Sequence, residues 1–227
     1  MRIIIILFIL INSIQTISSD LKAQNLTSGL IACYSFSGNA NDGTNNQHHG
    51  TVNNAMLVSD RFGIPNSAYQ FNGSTSSFIR LPAEPLKLNN YSYSIWVKAS
   101  SFPGAGTTAI VLSVGDVVTG RQSTINLGNL YSAGEFLGWG GGSWNDGPTL
   151  TSSAAQGAIP NLNEWYHLVL TRNNTHVKLY INSQLVGMGA TNGYPAFYGS
   201  TTNAFLGVRC NFIQPYHGAV DDLSIYN

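Results

Sequence analysis

Charged side chains are scarce in this sequence of 227 residues. They make up 9% of the chain, against about 25% in an average soluble domain. Ten Lys and Arg residues balance ten Asp and Glu residues, so there is no basic patch and nucleic acid is not an expected partner. Only three glutamates occur, which disfavours a helical protein. The hydrophobic fraction of 43% nevertheless excludes a disordered chain.

Long apolar runs are also missing, except at the N-terminus. Residues 3–11 form an unbroken apolar run behind Arg2, but a membrane-spanning helix needs about 20 such residues. Small and polar residues follow, which is typical of a secretory signal peptide. We predict a signal peptide at residues 1–23, cleaved after Ala23 or alternatively after Ser19. The mature protein is then secreted or on the cell surface, without a membrane span.

Cysteine is rare, with Cys33 and Cys210 near opposite ends of the chain. An oxidising compartment permits a disulfide between them. Two buried free thiols are the alternative, because the sequence does not give the separation of the two residues.

Short runs of alternating apolar and polar residues are what the sequence does contain. In residues 91–100, every second residue from Tyr93 to Val97 is apolar, which predicts a half-buried strand. Two further runs, WYHLVLTR and HVKLYIN, flank a polar turn at residues 172–175 and predict a hairpin. The glycine-rich residues 138–147 are expected to form a loop. Many short strands of this kind predict an all-β domain, a two-sheet antiparallel jelly-roll sandwich.

Five strings of the sequence occur in a recognisable order: GLIACYSFSGNANDGTNNQHHGTV, RFGIPNSAYQFNGSTSSFIRL, YSYSIWVKAS, NEWYHLVLTRNNTHVKLYINSQLVG and FLGVRCNFIQPYHGAVDDLSIYN. In this order they resemble the laminin-G-like jelly-roll domains of the concanavalin A-like lectin/glucanase superfamily, over residues 29–227. The resemblance implies two antiparallel sheets, with the first and last strands side by side. It also implies a frequent structural calcium ion and a frequent role in binding glycans or proteins. It is weakest over residues 102–161.

The last strand suggests where calcium binds. Alternation places Asp221 on the apolar face with Leu223 and Ile225, whereas Asp222 points the other way. A carboxylate on a buried face must be paired, protonated or bound to a metal. Because cationic side chains are few, a hard cation held by oxygen atoms is the expected solution. The predicted structural calcium site combines this strand with the loop near the start and the FNG turn, which the resembling fold brings together: Asp42, Asn39, Asn41, Gly73 and Asp221.

Two alternatives to calcium remain at this point. Asp42 could be a turn residue with a local hydrogen bond. Asp221 could pair with Arg209 or with a backbone amide.

No catalytic residues are predicted. Retaining β-glucanases of this fold carry two glutamates on one strand, because their carboxylates must lie about 5–5.5 Å apart. Here Glu84, Glu135 and Glu164 are far apart in the sequence. No zinc-binding spacing, phosphate loop or nucleophile elbow is present. A glycoside hydrolase or lyase is therefore the third hypothesis only.

Aromatic residues in glycine-rich or polar segments are the candidate ligand-binding residues, because sugar rings stack on aromatic faces. Trp139 and Trp144 would form the platform, although packing in the core is the alternative for Trp139. Trp96 and Trp165 are expected in the core. The predicted ligand-binding residues are Trp139, Trp144, Asn145, Asp146, Tyr194 and Tyr216. The leading hypothesis is a secreted, calcium-stabilised, non-catalytic carbohydrate-binding module, and the alternative is an extracellular protein-binding or adhesion module.

Overall fold

The computed structural model describes residues 27–104, 106–116, 122–128, 138–144, 153–156, 159–191 and 201–227. The signal peptide predicted at residues 1–23 lies outside the described residues. The described part is built from strands, with one turn of 3₁₀ helix at Glu84–Leu86. None of its helical segments is long and apolar enough to cross a membrane.

The strands are numbered in chain order. They are β1 (Leu30–Tyr34), β2 (Thr51–Asn53), β3 (Met56–Val58), β4 (Ala68–Asn72), β5 (Phe78–Leu81), β6 (Tyr91–Ala99), β7 (Thr108–Asp116), β8 (Gln122–Gly128), β9 (Trp139–Trp144), β10 (Ser153–Gln156), β11 (Tyr166–Arg172), β12 (His176–Ile181), β13 (Gln184–Ala190), β14 (Thr202–Leu206) and β15 (His217–Tyr226).

The strands form two antiparallel sheets. Sheet A has the order β13-β12-β11-β6-β15-β4-β3, and β1 also pairs with β15. Sheet B has the order β10-β9-β8-β7-β14-β5-β2. The predicted all-β sandwich is therefore confirmed.

The last strand, β15, is the best connected strand of sheet A. One side pairs with β6 along almost its whole length. The other side pairs with β4 through Val220 and Tyr69, and then with β1 through Leu223 and Tyr34. The predicted neighbourhood of the first and last strands is confirmed by this pairing.

The core lies between the two sheets and follows from alternation. In β6 the odd-numbered residues from Tyr91 to Ala99 are buried and the even-numbered ones are partly exposed. Burying one large apolar side chain stabilises the fold by about 1.5–3 kcal/mol. The largest fully buried side chains include Trp139, Tyr34, Tyr93, Tyr216, Phe36 and Phe71.

The predicted hairpin between β11 and β12 is present, with register pairs such as Arg172 and Val177. The next turn, from β12 to β13, consists of Asn182 and Ser183, with φ angles of 49° and 69°. Two residues with positive φ match the right-handed twist of the flanking strands, so this turn sets the register of β13.

Trp96 and Trp165 lie outside the core, contrary to the expectation from the sequence. The alternation that buries Ile95 turns Trp96 outward, where its ring stacks on His167 with 5.0 Å between the ring centres. Trp165 is partly exposed, and the ammonium group of Lys98 lies 4.9 Å from its ring centre.

The glycine-rich segment at residues 138–147 is not simply a loop, which corrects the expectation. Most of it is strand β9, which pairs with β8 and β10 in sheet B. A Cβ atom added to Gly141 would lie 2.8 Å from Cδ1 of Leu170 and 2.9 Å from the carbonyl oxygen of Thr124. The glycine is therefore needed for close packing of Leu170 against sheet B.

We expect Gly141→Ala to lower the free energy of unfolding by about 1–3 kcal/mol, because the methyl group overpacks the space that Leu170 fills. Urea unfolding of the full chain measures the change. Gly104→Ala is the control, since its added Cβ would meet only Oγ1 of Thr107 at 3.7 Å. A flexible loop would tolerate both substitutions equally, so equal midpoints would contradict the packing argument.

Candidate functional site

One face of sheet B is polar although it is buried. On β8, polar residues alternate with Ile125 and Leu127, which pack in the core. Alternation therefore places the polar residues on the side of the sheet that faces away from the core. Ser113 of β7 is the register partner of Thr124 on this side. We call the following four residues the polar face, and none is more than 3% exposed: Ser113, Gln122, Thr124 and Asn126.

Sequence reasoning missed the polar face. The signal is present as the string QSTINLG, in which Gln122, Thr124 and Asn126 recur with period two. The string lies in residues 102–161, where the family resemblance is weakest. Half-buried strands usually carry such residues toward water, so their burial could not be expected from the pattern.

Residues 207–216, which we call the cover loop, lie over part of the polar face. The backbone amide of Cys210 donates a hydrogen bond to Oγ of Ser113 at 3.2 Å. Nε of Arg209 donates to Oε1 of Gln122 at 3.2 Å. Tyr216 donates its backbone N–H to the carbonyl of Gly207, which closes the loop. The cover loop therefore uses Ser113 and Gln122 as structural partners.

Aromatic rings fix the cover loop beside the polar face. The ring centre of Phe212 lies 5.0 Å from that of Phe205 and 5.4 Å from that of Phe78. The guanidinium of Arg80 lies 5.3 Å from the centre of the Phe205 ring. Phe212 remains 40% exposed, so an aromatic surface borders the polar face.

In the described part of the chain, the buried side-chain atoms without a hydrogen-bond partner include three oxygen atoms on β7, β8 and the cover loop: Oγ1 of Thr108, Oδ1 of Asn126 and Oε1 of Gln214. Asn126 and Thr108 are each 2% exposed. We call these three atoms the acceptor cluster.

Strand register explains why the members of the acceptor cluster are neighbours. Asn126 is the register partner of Ile110, whose backbone amide donates to the carbonyl of Gln214 at 3.0 Å. Thr108 is the register partner of Gly128, whose carbonyl accepts a hydrogen bond from Nδ2 of Asn126 at 3.2 Å. That bond orients the Asn126 amide. Unpaired buried acceptors are uncommon in folded proteins, and a ligand or a bridging water molecule can satisfy them.

Two of the predicted sugar-binding residues are buried in the core, which corrects their assignment. Trp139 is the register partner of the core residue Leu127 and is 0% exposed. Tyr216 is also 0% exposed, and its ring centre lies 6.4 Å from that of Trp139. Neither ring face is open to a sugar, because strand β9 turns position 139 toward the opposite sheet.

Of the four other predicted ligand-binding residues, only Trp144 lies among the described residues. Trp144 ends strand β9 as the register partner of Gln122 on the polar face. Asn145, Asp146 and Tyr194 lie outside the described residues.

Asp42, a predicted calcium ligand, is saturated by hydrogen bonds from its surroundings. Oδ1 accepts hydrogen bonds from the backbone amides of Cys33 and Thr44, both at 2.9 Å. Oδ2 accepts hydrogen bonds from the hydroxyl of Thr44 at 2.8 Å and from the backbone amide of His48 at 2.9 Å. Burial acts to raise the pKa of Asp42, but these hydrogen bonds outweigh it and lower the pKa below its usual value. Asp42 therefore matches the alternative considered from the sequence, which is a turn residue with local hydrogen bonds.

The other predicted calcium ligands do not gather around Asp42. Oδ1 of Asn39 accepts the backbone amide of Asn41 at 2.8 Å, and both residues are exposed. Asp221 forms an ion pair with Arg61, in place of the partner Arg209 considered from the sequence.

Gly73 lies at the opposite end of β15 from Asp42. A Cβ added to Gly73 would lie 3.2 Å from Cβ of His217. Asp42 instead binds the amide of Cys33, which is the register partner of Ser224. Positions 217 and 224 are about 20 Å apart along an extended strand. In the described part of the chain, no group of three or more His, Cys, Asp or Glu residues is arranged to hold a metal ion.

The two cysteines are free thiols, so the disulfide alternative is not formed. Cys33 lies in β1, where Oγ of Ser224 donates to its sulfur at 3.6 Å. Cys210 lies in the cover loop at the other sheet, and burial raises the pKa of its thiol.

A family profile matches residues 72–227, and the family is described as concanavalin A-like lectin/glucanases superfamily. It covers more than half of the chain. No curated protein sequence matches this one.

Solved structures share the fold. Domain 4 of AbnA, an extracellular arabinanase of family GH43 from Geobacillus stearothermophilus, was solved in complex with arabinotriose. It is 26% identical and superposes with a TM-score of 0.67 over 88% of this chain and 93% of that one. The binding domain of Paraclostridial Mosquitocidal Protein 1 is 14% identical, with a TM-score of 0.66 over 87% of this chain.

The ligand-binding domain of botulinum neurotoxin serotype D, solved with N-acetylneuraminic acid, is 16% identical. Its TM-score is 0.61 over 87% of this chain. This chain spans about half the length of the two toxin domains, 48% and 47% respectively. At these identities, the toxin domains show the common fold alone.

We expect Asp42→Asn to lower the free energy of unfolding by about 2–3 kcal/mol, because hydrogen bonds to a buried carboxylate are worth more than neutral ones. The Asn side chain also turns an N–H group toward backbone donors. Urea unfolding measures the change, and Asn41→Ala at the exposed neighbouring position is the control. If the two variants unfold at the same urea concentration, Asp42 does not anchor the loop.

Proposed function

The chain belongs to the concanavalin A-like lectin/glucanase superfamily, and from this we propose that it is a carbohydrate-binding module whose ligand binds beside the exposed ring of Phe212 and is bonded to the buried polar face of sheet B through water molecules. The observation that carries the proposal is the acceptor cluster, because three buried oxygen atoms lack hydrogen-bond donors. Sugar hydroxyl groups can donate to these atoms through a bridging water molecule.

We propose that the ligand is a neutral oligosaccharide. The acceptor cluster consists of amide and hydroxyl oxygens, which favour a hydroxyl donor over a carboxylate. Arg209 is bonded to Gln122, and Arg80 stacks on Phe205, so these two cations of the described residues have partners within the protein. The similarity to a domain solved with the neutral sugar arabinotriose supports this choice.

Aromatic stacking supplies the apolar part of the proposed contact. Phe212 of the cover loop is 40% exposed beside the polar face. Trp144 is the register partner of Gln122, and we retain the proposal from the sequence that it stacks on a sugar ring. Asn145, Asp146 and Tyr194 are proposed as further contacts.

Secretion is part of the same proposal. The apolar run at residues 3–11 and the small residues up to Ala23 support export through a signal peptide. A secreted carbohydrate-binding module would meet extracellular polysaccharides. The binding experiments also test the alternative function, which is binding of an extracellular protein.

We expect the full chain to bind at least one neutral oligosaccharide in isothermal titration calorimetry, with arabinotriose as the first probe and N-acetylneuraminic acid as the anionic comparator. Asn126→Ala should weaken that binding at least about tenfold, the loss of one buried hydrogen bond. Asn53→Ala, an exposed asparagine in the edge strand β2 of sheet B, is the control. Binding of the anionic sugar alone would contradict a neutral ligand.

We expect Trp144→Ala to weaken binding of the same oligosaccharide by at least about tenfold, because the aromatic stacking surface is lost. Trp165→Ala is the control, since Trp165 stacks on Lys98 beside sheet A. Comparable affinities of the two variants would remove Trp144 from the site. If no glycan binds and an extracellular protein does, an adhesion function would replace the proposed carbohydrate binding.

A further inference from the structure

Strand β15 contains a bulge that alternation does not predict. Asp221 is the register partner of Trp96, and Ser224 is the partner of Ser94, so two residues of β15 stand opposite Ile95 alone. Asp222 occupies the bulge with φ at 44°. A bulge of this kind shifts the faces of the strand by one position. The expected orientation of Asp221 toward the core is therefore wrong, whereas Asp222 lies away from the core as expected.

Both carboxylates lie on the outer side of sheet A, and one arginine binds them. Nη1 of Arg61 lies 2.5 Å from Oδ2 of Asp221, and Nη2 lies 2.7 Å from Oδ2 of Asp222. The side chain of Asp221 is 2% exposed and that of Arg61 is 17% exposed. The planar guanidinium bridges two acids that would otherwise repel each other. Burial and the Asp222 carboxylate raise the pKa of Asp221 to about 6, although Arg61 opposes the rise.

Aromatic rings enclose the guanidinium of Arg61 from two directions. Its central carbon lies 4.3 Å from the ring centre of Phe62 and 4.8 Å from that of Trp96. Trp96 in turn stacks on His167 of β11. Cation–π contacts of this geometry hold an arginine in one orientation. Arg61 therefore contacts strands β15 and β6 of sheet A at once.

The loop that carries Arg61 is ordered by its own hydrogen bonds. Oδ1 of Asp60 accepts the backbone amides of Phe62 and Ile64, both at 2.8 Å. The amide of Asp60 donates to the carbonyl of Ile64 at 3.1 Å. Residues 59–65 thus present Arg61 to sheet A in a preformed geometry.

We infer that Arg61 is the resident cation at the last strand and ties the loop of residues 59–65 to β15, where the family resemblance implies a calcium ion. The predicted calcium ligands do not fit a single ion, since Asp42 is saturated by protein donors and Gly73 lies at the other end of β15. The guanidinium supplies the positive charge that Asp221 and Asp222 need. The fold then does not depend on calcium.

Thermal unfolding of the full chain tests this inference independently of glycan binding. The wild-type melting temperature should change by less than about 1 °C between excess EDTA and excess calcium, because no ion binds the native state. Arg61→Gln should lower it by at least about 5 °C, because two carboxylates lose their counter-charge. Arg80→Gln is the matched control, since that guanidinium stacks on Phe205 without an ion pair among the described residues.

A combined variant separates lost charge pairing from lost packing. Adding Asp221→Asn and Asp222→Asn to Arg61→Gln should recover at least half of the lost melting temperature, because no uncompensated charge remains. This variant also serves if Arg61→Gln alone does not fold. A wild-type melting temperature that falls in EDTA and returns with calcium would overturn the inference and support the calcium site. Equal losses in Arg61→Gln and Arg80→Gln would overturn it as well.

Discussion

The pairing of the last strand with three others is the constraint on which the rest of sheet A depends. Strand β15 binds β6 on one side, and β4 and β1 end to end on the other. This pairing brings Tyr226 opposite Leu30, so sheet A is complete only when β15 has paired with β1. Loop closure over such a long separation is entropically expensive, and burial of residues such as Leu223 and Ile225 in the core offsets it.

Charged side chains hold two of the connections near the last strand. Asp42 holds the loop after β1 through backbone amides, and Arg61 holds the loop before β4 through Asp221 and Asp222. Each of these groups therefore secures a connection between strands. Buried charges are tolerated when they are hydrogen-bonded or paired, and both groups meet this condition. In this structure, Asp42 is paired with backbone amides, and Asp221 and Asp222 are paired with Arg61.

Sheet B differs from sheet A because its strands β7 and β8 are buried on both faces. One face packs in the core, and the other carries the polar face with the cover loop across it. The loop satisfies Ser113 and Gln122 but leaves Oδ1 of Asn126 without a donor. A surface of amides and hydroxyls beside an exposed Phe212 suits a ligand that has both hydroxyl groups and apolar faces. This combination connects the fold of sheet B to the proposed binding of a neutral oligosaccharide.

Alternation along single strands determined the all-β sandwich and the β11–β12 hairpin, because side-chain period is a local property of the sequence. The family resemblance implied that the first and last strands lie side by side. The tertiary structure decided the rest. Trp139 is buried because residues 139–144 pair as a strand, and the sequence pattern of glycines equally suits a loop. Asp221 faces outward because a bulge at Asp222 shifts the strand, and its partner Arg61 lies 160 residues away in the chain. Contacts at that separation form only when the sheet is assembled, so no local pattern could assign these side chains.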